Sequence, residues 1–158
     1  MLLKVVYLYY EAIEIVMSKY ESFFLNNWSN KDSVIADFEG VYYNEDLTPE
    51  MAAKYANVEV LLASYGQANY LGDAFVLFRN TDDNVLYEVS ASHCSCFGLE
   101  DQWDSEPCDF DTLKKRVFEG RLGASDYSDN VFKDEIQKVI ISFEPEYGNC
   151  PKPEYDEF

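Results

Sequence analysis

The sequence predicts an α+β fold, a small antiparallel β-meander of three or more strands flanked by about four helices. Three observations carry this. Apolar residues alternate with a period of two through the middle of the chain, recur at three and four toward both ends, and are bounded by capping and stop signals. Leu2, Val5, Val6, Tyr9, Ile13, Val16, Tyr20, Phe23 and Phe24 predict an amphipathic helix ending near Asn26 and Asn27. Thr48-Pro49-Glu50 sets a capping hydroxyl, a proline at the first helical position and an acid in the first turn, so a second helix runs to about Tyr55. From Val58 the period changes to two, and 58–64, 74–79 and 85–90 read as strands, the last two joined by the turn-rich Asn80 to Asn84. Residues 98–111 have no period and contain Pro107, which predicts a loop. Asp111 and Thr112 cap a basic helix to Glu119, with Gly120 and Gly123 as stops. A last helix covers 129–143, with Val131, Phe132, Ile136, Val139 and Ile140 on one side. Three prolines follow, so one domain is drawn over 1–145, with 146–158 as an extended, partly mobile acidic tail.

The 158 residues hold 30 Asp plus Glu against 12 Lys plus Arg, a formal net charge of −18. With 47% apolar residues, 13 Tyr and 11 Phe, this is too much core-forming material for a disordered acidic tail. A skin so acidic repels phosphate backbones and anionic lipid, which argues against direct nucleic-acid binding and polybasic membrane attachment. At the amino end the unbroken apolar run is only Val5 to Tyr10, followed by Glu11 and Glu14, with no small-residue cleavage site. About 20 residues are needed to span a bilayer. The expectation is a cytoplasmic protein with reduced or metal-bound cysteines.

The charge is concentrated in two runs. No Lys or Arg stands between Arg79 and Lys114, a stretch that carries Asp82, Asp83, Glu88, Glu100, Asp101, Asp104, Glu106, Asp109 and Asp111. Between Lys31 and Lys54 lie Asp32, Asp37, Glu39, Glu45, Asp46 and Glu50. One reading is a solvated face that keeps the protein soluble. The other is mimicry of a nucleic-acid backbone. Acids two apart on an extended segment, such as Asp109 and Asp111, lie roughly 6–7 Å apart, and helical neighbours about 5–6 Å, spacings of phosphate order. The interleaved aromatics, Trp103 among them, suit an interface anchor or a core.

His93, Cys94, Cys96 and Cys108 are the soft-metal ligand types that cluster in sequence, with Cys150 in the tail. Four cysteines allow three pairings if oxidised. A C-x-C with an adjacent His departs from the usual zinc knuckle, so zinc stands beside buried free thiols and redox pairing of Cys94 with Cys96 or Cys108. A His93–Cys94 nucleophile is geometrically poor, because neighbours leaving a strand point to opposite faces. No Gly-rich phosphate loop, zinc-protease or EF-hand pattern is present, and no carboxylate pair is singled out.

Leu86-Tyr87-Glu88-Val89, then Ser92 to Glu100 (SHCSCFGLE), then Gln102-Trp103, resemble a group of small tailed-bacteriophage proteins that share an LYEV…SHCSC(Y/F)GLE-x-QW signature. Residues 63–78 and the downstream basic helix belong to the same resemblance, which covers about 58–122. It implies a phage genome as the origin, and no particular biochemistry.

Together these observations lead to the expectation of a non-enzymatic phage inhibitor that binds a host defence protein of the restriction or CRISPR type. Its acidic face would occupy a cationic nucleic-acid site. The expected contact residues are Glu45, Asp46, Asp82, Asp83, Glu100, Asp101, Trp103, Asp104, Glu106, Asp109 and Asp111. Two alternatives stand beside it. One is an inhibitor or adaptor that grips a host protein by an apolar surface, through the first helix and the tail. The other is a small metal- or redox-active protein using His93, Cys94, Cys96 and Cys108. No cofactor is expected in the first reading, zinc in the last, and the apolar side of the first helix allows a homodimer.

Overall fold

Alternating apolar runs build a five-stranded sheet with helices and loops packed on both faces. The computed structural model describes residues 22–42, 45–123 and 131–154. Its strands are β1 (Phe23–Leu25), β2 (Val58–Tyr65), β3 (Leu71–Asn80), β4 (Leu86–Cys94) and β5 (Ser105–Cys108), in spatial order β1-β2-β3-β4-β5. β1 pairs parallel with β2 and every other pairing is antiparallel. Four helices lie among the described residues: α1 (Lys31–Phe38), α2 (Pro49–Lys54), α3 (Phe110–Phe118) and α4 (Lys133–Tyr147). The fold is therefore α+β, with the expected meander at its centre. No helix among the described residues is long and apolar enough to cross a membrane.

A bulge in β2 organises the two faces. The register to β3 shifts between Val60 and Leu62, so the strict alternation of β2 breaks there. Val58, Val60 and Ala63 join Ala74, Val76, Phe78 and Val89 in one core, under Val34, Ile35 and Phe38 of α1. Leu61 and Leu62 both join Phe75, Leu77 and Leu86 in a second core, under Leu113 and Val117 of α3 and Ile136, Val139, Ile140 and Phe143 of α4. The sheet thus separates an α1 layer from an α3/α4 layer.

Three expectations are corrected. The helix predicted through Phe23 and Phe24 is strand β1 there, because these residues pair with Leu62 and Ala63 and the Phe23 ring meets Phe143 at 5.8 Å. The earlier part of that predicted helix lies outside the described residues, as do the predicted first residues 129 and 130 of the last helix. The predicted loop 98–111 contains β5, which is held by backbone pairing of Ser105–Cys108 with Leu86–Val89 and needs no apolar alternation of its own. Finally, α4 continues past Phe143 to Tyr147 in spite of Pro145. Proline there removes one N–H from the final turn. Tyr147 offsets that loss, being buried edge-on against Phe143 at 5.4 Å.

Candidate acidic interface

Helix α1, which the sequence pattern did not reveal, is started by a reciprocal cap. The Asn30 side chain accepts from Ser33 N–H at 2.9 Å and the Ser33 hydroxyl oxygen accepts from Asn30 N–H at 3.1 Å. It ends with Glu39 as C-cap and no basic residue in its last turn. A carboxylate at the negative end of a helix is unfavourable. Glu39 is compensated by Lys54 at 2.6 Å and by the Tyr55 hydroxyl, and these two hydrogen bonds, Lys54 first, hold its carboxyl below the usual range. In return the Lys54 ammonium is pushed up.

The loop after β4 docks on this helix end and joins the two acidic runs. Asp101 N–H donates to Phe38 O at 3.3 Å, and the Glu100 side chain lies over Gly40, where a Cβ would come within 2.8 Å of Glu100 Cγ. Gly40 has φ +67°, so no side chain is favoured there on conformational grounds either. Gln102 clamps the loop to the edge of β4 beyond the reach of β5. Its amide oxygen accepts from Ser92 N–H at 3.1 Å, and its amide nitrogen donates to Ser92 O at 2.9 Å and Gly98 O at 2.7 Å. Leu99 is buried, and Trp103 is partly buried with its ring 5.0 Å from Phe38, 5.1 Å from Tyr55 and 5.6 Å from Phe78. With Leu99 and Trp103 turned inward, Glu100, Asp101 and Asp104 are exposed.

From Asp104 the chain enters β5, which carries exposed Glu106 back along β4 toward the β3–β4 hairpin. There Asp83 accepts from Val85 N–H at 2.8 Å and from the Tyr87 hydroxyl at 2.9 Å, while Asp82 accepts from the Asn57 amide at 3.3 Å. Glu45 and Asp46 are exposed between α1 and α2, and Glu45 borders an open depression of about 220 Å³ with Trp28, Asp37 and Tyr42.

Asp109 and Asp111 do not share an extended segment, which corrects the expected phosphate-like spacing. Asp109 is the N-cap of α3 and Asp111 lies in its first turn, paired with Lys152 at 3.1 Å. Burial pushes the Asp109 carboxyl up, but hydrogen bonds from the Thr112 N–H at 3.0 Å and hydroxyl at 2.7 Å outweigh it, and the carboxyl lies below its ordinary value. A group with a depressed folded-state value stabilises the fold above its unfolded value and ceases to do so as pH falls through the folded one. An Asp109→Ala variant is therefore expected to lose about 1 kcal/mol at neutral pH. Urea titrations should show this penalty shrinking as pH falls from the unfolded value of the carboxyl through its lower folded one.

The charges divide between the layers. On the α1 side Lys31 donates to Tyr55 O at 2.5 Å and Lys54 bonds Glu39, so both local cations are engaged. Arg79 in β3 is paired with Glu59, and Lys114, Lys115, Arg116, Arg121, Lys133, Lys138 and Lys152 belong to α3, α4 or the segments that follow them. Among the described residues, Glu45, Asp46, Glu100, Asp101, Asp104 and Glu106 have no cationic side chain within ion-pair distance.

The expected metal set is not brought together. The His93 ring is buried, its Nε2 2.8 Å from Gly66 O, and it stacks on Tyr65 at 4.1 Å. Cys94 and Cys96 form a disulfide, which is the redox pairing weighed beside zinc and free thiols, so the expectation of reduced or metal-bound cysteines is corrected at these two. Cys108 is a buried free thiol opposite Leu86, the far end of β4 from Cys94, and Cys150 is a partly buried free thiol. Among the described residues no group of three or more His, Cys, Asp or Glu side chains is placed to hold a metal ion.

Gln102 and the Glu39–Lys54–Tyr55 cluster were missed from sequence. Only the place of Gln102 in the phage-type signature marked it, and nothing in the spacing showed that its amide caps a strand edge. No protein-family model, no curated protein and no solved structure matches this chain.

Proposed function

We propose that this protein is a non-catalytic, phage-encoded inhibitor that sets its acidic face in a cationic nucleic-acid or nucleotide groove of a host defence protein. The observation that supports this is the segregation of charge. Exposed Glu45, Asp46, Glu100, Asp101, Asp104 and Glu106, on the α1 layer and the adjoining sheet edge, have no ion-pair partner among the described residues, whereas carboxylates of the α3/α4 layer such as Asp111 and Glu144 are paired with Lys152 and Lys114. Two like charges about 6 Å apart repel by roughly 0.7 kcal/mol even at the dielectric constant of water. The exposed carboxylates here lack internal ion-pair partners among the described residues, and the Lys and Arg of a partner groove would supply them. The phage resemblance of residues 58–122 directs the choice of partner toward restriction and CRISPR-type proteins.

Recovery of partners from bacterial lysate at low and high salt, followed by mass spectrometry, tests the reading. A nucleic-acid-processing partner is expected, with affinity falling at least about tenfold between roughly 0.05 and 0.2 M salt. Glu100→Lys, Asp104→Lys and Glu106→Lys together should abolish that binding while leaving the far-ultraviolet circular dichroism unchanged. Asp101 is best changed to Asn, since its φ of 61° suits Asn better than Lys. Binding that resists both salt and charge reversal would defeat this reading in favour of an apolar grip. Tyr70, Leu71 and Phe97 favour that second reading, being large, apolar and exposed where β3 begins and β4 ends.

A further inference from the structure

The Cys94–Cys96 disulfide stands apart from the other two cysteines in access, surroundings and position. Cys96 is exposed and Cys94 partly buried, and their Cα atoms are 5.3 Å apart. The pair closes the reversal that ends β4, where Cys94 N–H donates to Phe97 O at 3.0 Å and Cys96 N–H donates to Cys94 Sγ at 3.2 Å. Cys108 is buried and burial pushes its thiol far above the usual range, with the Glu88 charge adding to this. Burial also raises the Cys150 thiol. Cys108 pairs with Leu86, eight residues down β4 from Cys94, or about 26 Å at the rise of a strand. Exchange between the pair and Cys108 therefore has no path in the folded chain.

We propose that Cys94–Cys96 is a redox-active disulfide that exchanges with a dithiol reductant, and that its state sets how firmly the acidic loop following it is held. A thiolate of the dithiol attacks Sγ of Cys96, the more exposed residue of the pair. A mixed disulfide forms, the Cys94–Cys96 bond breaks, and the electron pair leaves on Cys94 Sγ. The Cys96 N–H already directed at that sulfur stabilises the departing thiolate, which then takes a proton from water. The second thiol of the reductant attacks its own sulfur in the mixed disulfide and releases Cys96, which is protonated in turn. Two electrons and two protons pass to the protein, and the reductant is left as a disulfide. Residues 95–101 then lose their one covalent tie and are held by the Gln102 amide on Ser92 and Gly98, by the Cys94 N–H on Phe97 O and Asp101 N–H on Phe38 O, and by buried Leu99. Exposed Glu100 and Asp101 belong to this segment, so reduction loosens part of the acidic face. The proposal does not depend on what that face binds.

The test uses the full chain equilibrated with oxidised glutathione, then denatured, alkylated with iodoacetamide and weighed intact. Two alkylated thiols are expected, mapping to Cys108 and Cys150. Graded dithiothreitol under native conditions should expose Cys94 and Cys96 to alkylation at least about tenfold faster than the other two. Hydrogen exchange at 95–101 should accelerate by a similar factor while β3 is unchanged. In a Cys94→Ser variant Cys96 should retain glutathione as a mixed disulfide, more readily than Cys94 does in Cys96→Ser. Four alkylated thiols after oxidised glutathione, a disulfide that dithiothreitol opens only when the chain unfolds, or loop exchange unaffected by reduction would each overturn the proposal.

Discussion

A Gly72→Ala variant is expected to lose about 3–5 kcal/mol of stability. Gly72 pairs with His93 across β3 and β4, and the His93 ring lies directly over it. A Cβ at this position would come 1.9 Å from Gly66 O and 2.4 Å from His93 Nε2. The first atom is backbone and the second belongs to a buried ring stacked on Tyr65, so neither yields by a simple rotation. Relief requires the ring to leave Gly66 O, which adds the cost of unsatisfied buried groups to that of overpacking, each about 1–3 kcal/mol. Thermal denaturation followed by circular dichroism should show a midpoint lower by roughly 10 °C or more. Gly66→Ala is the milder comparison, since its Cβ meets Asp73 O at 3.0 Å and Val131 Cγ2 at 3.5 Å. Equal stability of Gly72→Ala and the parent would mean that residues 66–72 shift aside freely, and that His93 is not the strut described here.

The second large effect is expected at Arg116. Its Nη1 lies 2.7 Å from both carboxylate oxygens of Glu88, whose side chain is only 11% exposed. Glu88 pairs with Glu106 across β4 and β5, so without Arg116 it would be a nearly buried charge facing a like charge. Removing one partner of such a pair costs about 3–5 kcal/mol when burial is complete, and with Arg116 30% exposed the expectation is about 2–3 kcal/mol. Replacing both, as Glu88→Leu with Arg116→Met, should restore stability to within about 1 kcal/mol of the parent. Chemical denaturation of the two single variants and the double completes the cycle. A double variant as unstable as Arg116→Ala alone would show that this ion pair does more than neutralise itself.

The central strands were legible because β2 and β3 are dense in Val, Leu and Phe, and because the turn-rich Asn80 to Asn84 marks where β3 gives way to β4. Each extends beyond its predicted span, β4 as far as Cys94, because backbone pairing continues where side-chain pattern stops. Helix α2 and its Thr48 cap were readable for the same local reason, the cap accepting from Met51 N–H at 3.2 Å. Elements that depend on distant partners were not. β1 was hidden in a helical spacing of aromatics, and β5 in Ser-Glu-Pro-Cys, two of whose four side chains face water. Helix α1 went unread, since only three of its eight side chains are buried and its Asn30 and Ser33 cap is reciprocal only in the folded turn. The acidic residues were evident as charge, yet their junction at Phe38 and Gly40 depends on a loop sixty residues downstream. The inward ring of Trp103 and the Cys94–Cys96 bond likewise follow from loop geometry, which residue spacing does not encode.

β5 bears on how these molecules behave when crowded. An exposed strand edge offers unpaired N–H and C=O groups to any neighbouring chain, a common beginning of aggregation. Here the outer strand is four residues long, Pro107 withholds one donor, and Glu106 repels an identical copy brought alongside. The sheet therefore closes itself to growth on that side by chemistry, with no covering element required. At high concentration the protein should remain free of strand-to-strand polymers through β5, and a Pro107→Val, Glu106→Thr variant should form them.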